Sequence, residues 1–546
     1  MNQPLRGADI VARSLAQLGC TRVFTLSGNH IMSIFDAALD AGLDLVHVRH
    51  EAAAVHMADA WGRLTGEPGV ALVTGGPGHA NAVGALYTAL AAESPMVLLS
   101  GHAATWEFNR GGFQEIRQAD MAAPVTKASW TADNAATLGR DVGEAVRVAR
   151  TGRPGPVHLS LPSDLLETRV ADKVIVWPEK SDAGVPPPLP ENAADAILGA
   201  IANAKRPVIL AGPQWSSRNG RAKLAEIEAA TNAPVVVMES PRGIADATLG
   251  AFPDLVKRAD LIVLLGKALD FTLKWASGPA FDPDVRVIAI DPEAGLIRRA
   301  KKEKGERLIH SAIADMRGAA DLLVARGAKI AKRSDAWRSE ARAALDNRPA
   351  AWASVVSQTP GRLHAAEVFR ALRPQVERDP ETILICDGGE FAQWAQSMLP
   401  VRRRLINGVA GSIGGSLSFA LAARMHDPKA PIFVVLGDGT IGFHISEFET
   451  AVRRNLPFVA ILGNDAKWNA ESQIQLREYG ANRMHGCDLL PARYDQVVAA
   501  FGGHGELVTN AADLPAAVER ALASGKPACI NVMIESIAAP VIRAAK

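Results

Sequence analysis

Hydrophobic positions in this chain come in short runs separated by stretches of helical character. In the first third, Arg22–Thr25, Leu43–Val48, Val70–Thr74 and Met96–Ser100 read as strands, and Asp9–Leu18 reads as a helix. A second series falls at Val208–Leu210, Pro234–Met238, Leu261–Leu265 and Val285–Ile290. A third falls at Thr382–Cys386, Ile432–Leu436 and Phe458–Leu462. Strands that alternate with helices imply parallel pairing through helical crossovers. The pattern predicts an α/β protein of three doubly wound parallel-sheet domains, over residues 1–180, 191–330 and 363–546. Proline-rich Lys180–Pro190 is the expected first linker, and a polar helical stretch, Lys329–Arg348, leads to the third domain.

The chemistry concentrates in PIFVVLGDGTIGFHISEFETAVRRNLPFVAILGND, residues 431–465. One strand ends in Gly437-Asp438-Gly439. A helix, expected from Ile445 onward, and Pro457 lead to a second strand, which ends in Asn464-Asp465. Ligands of such sheets bind outside the carboxyl ends of the strands. Two neighbouring strands would thus deliver oxygen ligands to one sheet edge, which suits a divalent cation held against a diphosphate. Two other readings stay open on these residues alone. Gly437 to Gly442 also fits G-x-G-x-x-G, the dinucleotide fingerprint, with Asp465 on a ribose hydroxyl. The aspartate is otherwise a helix cap.

Composition narrows the class. The chain has 546 residues, 48% of them hydrophobic, and a net charge of +1, which argues against nucleic acid or a membrane surface as partner. Cys20, Cys386, Cys487 and Cys529 have no metal-ligand spacing and suit a reducing compartment. No signal segment is visible in Met1–Asp9 and no apolar run is long enough to span a bilayer, so a cytoplasmic enzyme is expected. The arginines at 402–404 and the Arg298–Lys304 run are expected to be solvated surface charge rather than phosphate sites for coenzyme A.

The first and third domains echo one another. Gly76-Pro77-Gly78 precedes a helix, Pro95 and the strand MVLLSG, much as Gly437-Asp438-Gly439 precedes a helix, Pro457 and FVAILG. Pro95 lies 17 residues after Gly78, and Pro457 lies 18 after Gly439. We read a duplicated fold with divided labour.

On these motifs the chain resembles, almost end to end, the thiamine diphosphate (ThDP) enzymes of the pyruvate oxidase/acetolactate synthase superfamily. The resemblance implies a first domain for the cofactor's pyrimidine, a central domain, and a third domain for diphosphate and Mg²⁺. It implies Asp438, Asp465 and the backbone oxygen of Lys467 as metal ligands, with Asn464 as the alternative. Asparagine is commoner in the family at the position 27 residues after the first aspartate, where this chain has Asp465. Gly388, Gly389, Glu390, Thr440 and Trp468 join the diphosphate side, with Ala470 and Gln473 also near the site. Gly411, Ser412 and Ile413 would grip and bend the cofactor. On the pyrimidine side it implies Glu51, with Gly76, Pro77 and Asn81. Glu51 would hydrogen-bond the pyrimidine nitrogen, although a glutamate in a first helical turn is also common for structural reasons. His30 and Gln114 match the catalytic histidine and glutamine of benzaldehyde lyase.

The implied activity is that of a ThDP- and Mg²⁺-dependent carbon–carbon lyase or carboligase, working through a C2 carbanion on 2-oxo acids, aldehydes, 2-hydroxy carbonyl compounds or acyl-CoA-type substrates. Acetolactate synthase is the alternative, followed by a 2-oxo acid decarboxylase or a non-catalytic homologue. The paired histidines of pyruvate decarboxylases are missing around WEFNRGGFQE, where His102 stands alone. The middle domain lacks the longer segment of flavin-binding relatives, so FAD is not expected. A homodimer or homotetramer with active sites at the subunit interface is implied.

Overall fold

The computed structural model describes residues 4–179, 184–329 and 335–542. The chain divides into two compact units, Met1–Val185 with Leu421–His426, and Pro186–Ala420 with Asp427–Lys546. Each is described by itself.

The first unit is built on six parallel strands: β1 (Arg22–Thr25), β2 (Asp44–His47), β3 (Gly69–Val73), β4 (Met96–His102), β5 (Ala128–Thr131) and β6 (Pro156–Pro162), in the order β2-β1-β3-β4-β6-β5. β3, β4 and β6 are buried along their whole length, as strands covered on both faces must be. The expected first helix runs over Gly7–Gln17.

The second unit holds two sheets. The central one has five parallel strands, β7 (Pro207–Ala211), β8 (Val235–Val237), β9 (Leu261–Leu265), β10 (Arg286–Asp291) and β11 (Leu308–Ile313), in the order β8-β7-β9-β10-β11. Its apolar runs feed two cores. Leu261, Val263 and Leu265 pack into one, and Ile262 and Leu264 into the other. Successive side chains on a strand point to opposite faces, so a sheet with helices on both faces needs unbroken apolar runs.

The last sheet has six parallel strands, β12 (Ile383–Asp387), β13 (Arg403–Ile406), β14 (Ile432–Gly437), β15 (Val459–Asn464), β16 (His504–Val508) and β17 (Ala528–Met533). Their order, β13-β12-β14-β15-β17-β16, repeats that of the first sheet strand for strand. The echo of motifs read from the sequence is thus an echo of topology.

Two expectations are overturned. No helix waits until Ile445: one begins at Asp438 and runs to His444, and a second spans Glu447–Arg453. Gly437 is the extended residue before the first of these (φ −88°, ψ 165°), and Asp438 occupies its first turn, where a carboxylate is favoured. Arg404, Arg403 and Lys304 are not solvated charge. Half-buried Arg404 pairs with Glu239, Arg403 binds Asp427 at 2.7 Å, and Lys304 is buried and donates to the Ala276 carbonyl at 2.5 Å. Residues 180–183 of the proline-rich segment lie outside the described residues, and the next helix begins at Glu191. Residues 330–334 of the polar stretch also lie outside them. Its described helix, Ala336–Asp346, docks on the central sheet through buried Trp337, whose indole donates to the Pro207 carbonyl at 2.9 Å.

Candidate active site

In the second unit, β14 and β15 run side by side with Gly437 opposite Gly463. This register brings the two acidic strand ends together. A cavity of about 250 Å³ opens there, lined by Gly437 to Thr440, Gly463, Asp465, Lys467, Trp468 and Ala470. Gly388, Gly389, Glu390, Gly411 and Ile413 complete that wall. The structure therefore gathers nearly all the residues read for the diphosphate side. Ser412 and Gln473 are not among the lining residues. Gln473 instead donates to Asn469 at 3.0 Å and to the Ser536 carbonyl.

Alternation along β15 separates Asn464 from Asp465. Asn464 is fully buried, and its amide nitrogen donates to Asn531 (3.1 Å) and to the Ala492 carbonyl (3.0 Å). Asp465, one residue on, lines the cavity. Ala466 then takes a left-handed conformation (φ 59°) that turns the chain back. The turn is pinned by bonds from Leu489 N to the Ala466 carbonyl and from Trp468 N to the Cys487 carbonyl. The Lys467 ammonium is committed to Asp488 at 2.7 Å.

Asp438 and Asp465 are both buried, and each is pushed well above the usual carboxylate range. Burial is the main cause for both, and the charge of Asp438 adds to it at Asp465. Asp438 Oδ2 is buried without a hydrogen-bond partner. Two repelling carboxylates with a spare buried oxygen fit a hard, oxygen-liganded divalent cation, which would convert repulsion into attraction. Among the described residues, no group of three or more histidine, cysteine, aspartate or glutamate side chains suits a metal, so beyond the two aspartates the remaining ligands would be backbone or neutral side-chain oxygens, phosphate or water. Gly389 and Gly437 leave open space where a side chain would stand, room that suits the oxygens of a diphosphate. A Cβ on Gly439 would lie 2.6 Å from the Trp468 ring, so only glycine lets this first helical turn pass beneath the indole.

Asp387 and Glu390 differ in their work. Asp387 ends β12 and accepts from the amides of Gly414 and Ser416, each at 3.0 Å, which braces the 408–416 loop carrying Ile413. Its burial pushes its pKa to about 6. Glu390 accepts from Ala539 N (3.0 Å) and from Arg242 (3.2 Å). Arg242 and Asn407 also line the cavity, and neither belongs to a motif. Arg242 follows the end of β8 in a parallel sheet, the one sequence cue that points to it.

In the first unit, Glu51 opens the helix Glu51–Thr65 and is buried. Asn81, on the helix Pro77–Ala91, donates to Glu51 Oε2 at 3.0 Å. Gly76 precedes that helix at φ 57°, and a Cβ there would lie 2.5 Å from the Gln114 carbonyl. The Gly76 turn and the Gln114 loop are therefore in close contact, and Gln114 itself is left-handed (φ 59°). The Gly76 amide donates to buried Gln118, which in turn donates to the Gly101 carbonyl and to Ser160. Gln118 stands out only in three dimensions. His30 is buried, contacts Thr74 Oγ1 through Nδ1 at 3.2 Å and stacks near Phe113. Burial, reinforced by His102, lowers its pKa and keeps the ring neutral near pH 7. His102 is itself buried, with Nε2 3.1 Å from the Ile116 carbonyl.

The first and last sheets share one strand order, one ending in a buried Glu51–Asn81 pair and the other in a carboxylate-lined cavity. The chain belongs to the thiamine pyrophosphate enzyme family. The family's N-terminal TPP binding domain matches residues 5–121, its central domain 194–314, and its C-terminal TPP binding domain 387–532. The chain is 31% identical to the acetolactate synthase large subunit of Mycobacterium tuberculosis, over 98% of this chain and 97% of that protein. It is also 31% identical to 2-hydroxyacyl-CoA lyase 2 of Caenorhabditis elegans (97% of this chain, 89% of the relative) and 29% identical to that of Danio rerio (97% and 92%). No helix among the described residues is long and apolar enough to cross a membrane.

Proposed function

We propose that this thiamine diphosphate-dependent enzyme is a Mg²⁺-requiring carbon–carbon lyase or carboligase acting on 2-oxo acids, aldehydes or 2-hydroxy carbonyl compounds. The observation that carries this reading is the pairing of Asp438 with Asp465 on register-matched strands, with one buried oxygen left without a partner. When bound, the cofactor supplies an electron sink for the bond next to a carbonyl.

The chain's own groups bind, orient and move protons. Asp438, Asp465 and the Lys467 backbone oxygen would hold the cation, and Gly388, Gly389, Gly439 and Thr440 the phosphates. Ile413, on the loop braced by Asp387, would pack against the bound cofactor. Glu51, oriented by Asn81, offers a carboxyl to the pyrimidine nitrogen, where proton exchange is needed. His30, neutral and hydrogen-bonded to Thr74, has the chemistry to accept and return a proton on the substrate. Gln114 orients and polarises, because an amide does not titrate. The same reading places the enzyme in the cytoplasm as a homodimer or homotetramer. The four free cysteines support a reducing compartment.

Acetolactate synthesis is the second reading, supported by the mycobacterial relative that matches over nearly the whole chain. Calorimetry with ThDP and with NAD, each with and without Mg²⁺, tests the site. Metal-dependent uptake of ThDP is expected, and metal-independent binding of NAD would overturn the assignment. Cleavage of a 2-hydroxy ketone, set against acetolactate formation from pyruvate, then separates the two readings.

A further inference from the structure

We propose that Arg242 is an anion-recognition residue of the cavity and that it takes the carboxylate of a short 2-oxo acid. This rests on the functional reading above for the identity of the cavity, and on independent geometry for the role of Arg242.

Arg242 lies on the cavity wall with Glu390, Gln393, Gln396 and Asn407. A guanidinium has five N–H donors in a planar fork. Among the described residues its side chain makes one hydrogen bond, from Nη2 to Glu390 Oε2 at 3.2 Å. That is long for a charge-assisted pair, which normally closes to about 2.7–2.9 Å. The same carboxylate oxygen is already engaged by Ala539 N. The Arg242 side chain is 39% exposed, so part of the fork is open to the cavity and solvent. Lys467, the other cation of the wall, is committed to Asp488. The remaining charges of the wall, Asp438, Asp465, Glu390 and Glu471, are negative.

The arm that carries Arg242 is held in place. Glu239, three residues earlier, is buried and shared by Arg221 (2.7 Å) and Arg404 (2.6 Å). Pro241 packs on the 408–414 loop, where a Cβ on Gly411 would lie 3.6 Å from Pro241. Gly243 sits so close to the Thr272 carbonyl that a Cβ would come within 1.9 Å of it. A guanidinium on a fixed backbone arm with a weak, displaceable partner suits a planar oxyanion, because the fork donates to both carboxylate oxygens at once. Glu390 then acts as a placeholder that the incoming carboxylate displaces.

The test uses pyruvate and its neutral methyl ester, which differ in charge but share the 2-oxo acyl group. Dissociation constants are read from intrinsic tryptophan fluorescence of the full chain, with and without ThDP and Mg²⁺. Arg242→Gln is expected to weaken pyruvate binding by at least about ten-fold and to leave the ester within about two-fold. Arg242→Lys, which keeps the charge and loses the fork, should fall between. ThDP affinity should fall by less than pyruvate affinity in both variants. Equal losses for acid and ester, no discrimination by the wild type, or a parallel loss of ThDP binding would each overturn the proposal. Coenzyme A offers the same oxyanion chemistry through its phosphates. A response to coenzyme A that depends on Arg242, in place of one to pyruvate, would overturn the 2-oxo acid assignment. A chain that distinguishes pyruvate from its ester but takes up no ThDP would sink the cofactor reading and leave the anion site standing.

Discussion

Buried Glu239 and half-buried Arg404 form an ion pair, with the guanidinium 2.6 Å from Glu239 Oε1, that ties the central sheet to the last sheet within the second unit. Arg221 donates to the same oxygen at 2.7 Å. Burial alone would raise the Glu239 pKa, but the two arginines prevail and hold it down at about 2. Removing the carboxylate leaves half-buried Arg404 and Arg221 without their shared counter-charge. Glu239→Gln should therefore cost about 3–5 kcal/mol in urea unfolding. A loss below about 1 kcal/mol would show that the pair is not a structural tie. The folded pKa is depressed, so this stability is present above the unfolded value of 4.5 and is lost as pH falls from there toward about 2.

Asp438 should show a trade of stability against function. Its carboxylate is buried beside Asp465, with one oxygen unpartnered. Its folded pKa is raised, so ionisation at neutral pH costs the metal-free protein stability. Asp438→Asn should unfold at the same or a higher temperature than the wild type in the absence of metal. It should also bind ThDP at least about 100-fold more weakly in the presence of Mg²⁺, as expected when a metal ligand is lost. Calorimetry and thermal melts read the two effects separately.

Glu51→Gln should keep ThDP affinity within a few-fold and lower turnover by about 10²–10⁴-fold, the usual weight of general acid–base help. The amide keeps the contact with Asn81 but carries no proton to exchange. Undiminished turnover would remove Glu51 from the mechanism.

Gly439→Ala puts a methyl group against the Trp468 ring. Crowding of this kind costs about 1–3 kcal/mol, which should emerge chiefly as weaker ThDP binding. Trp468→Ala in the same chain should restore part of the loss. A single variant with wild-type affinity would show that the indole moves freely.

His79 sits in the core of the first unit, next to Ser100 at 2.9 Å, and burial lowers its pKa to about 4. The unfolded chain takes up this proton near pH 6.5 and the folded chain does not, so stability falls as pH drops from 6.5 toward 4. The slope is about 1.4 kcal/mol per pH unit for one such group. His79→Gln should flatten the urea-derived stability profile by that slope within this window. An unchanged slope would mean that the imidazole is protonated in the core.

Much of the architecture was legible because parallel strands covered on both faces must be apolar along their whole length, and this chain writes them as VALV, LIVLL and IFVVL. The glycine turns were legible because the backbone passes closely there: Gly439 beneath an indole and Gly76 against the Gln114 loop. The helix start at Asp438 was not. An expected metal loop and a helical first turn carry the same residues, and only the extended Gly437 separates them. Arg404 was misread because a solvated arginine and a paired one have the same local neighbours, and its partner lies 165 residues away at Glu239.

The three sheets, the echo between the first and the last, and the residue types that gather at their strand ends were all readable along the chain. These follow from local periodicity and from short-range turn chemistry. Which of Asn464 and Asp465 faces the cavity emerged from the packed fold, since neighbours on a strand point to opposite faces and the choice rests on the register with β14. The fold also brought Arg242 onto the wall, set Asn81 against Glu51 and paired Arg404 with Glu239. Those relationships join residues far apart in the chain, and packing creates them.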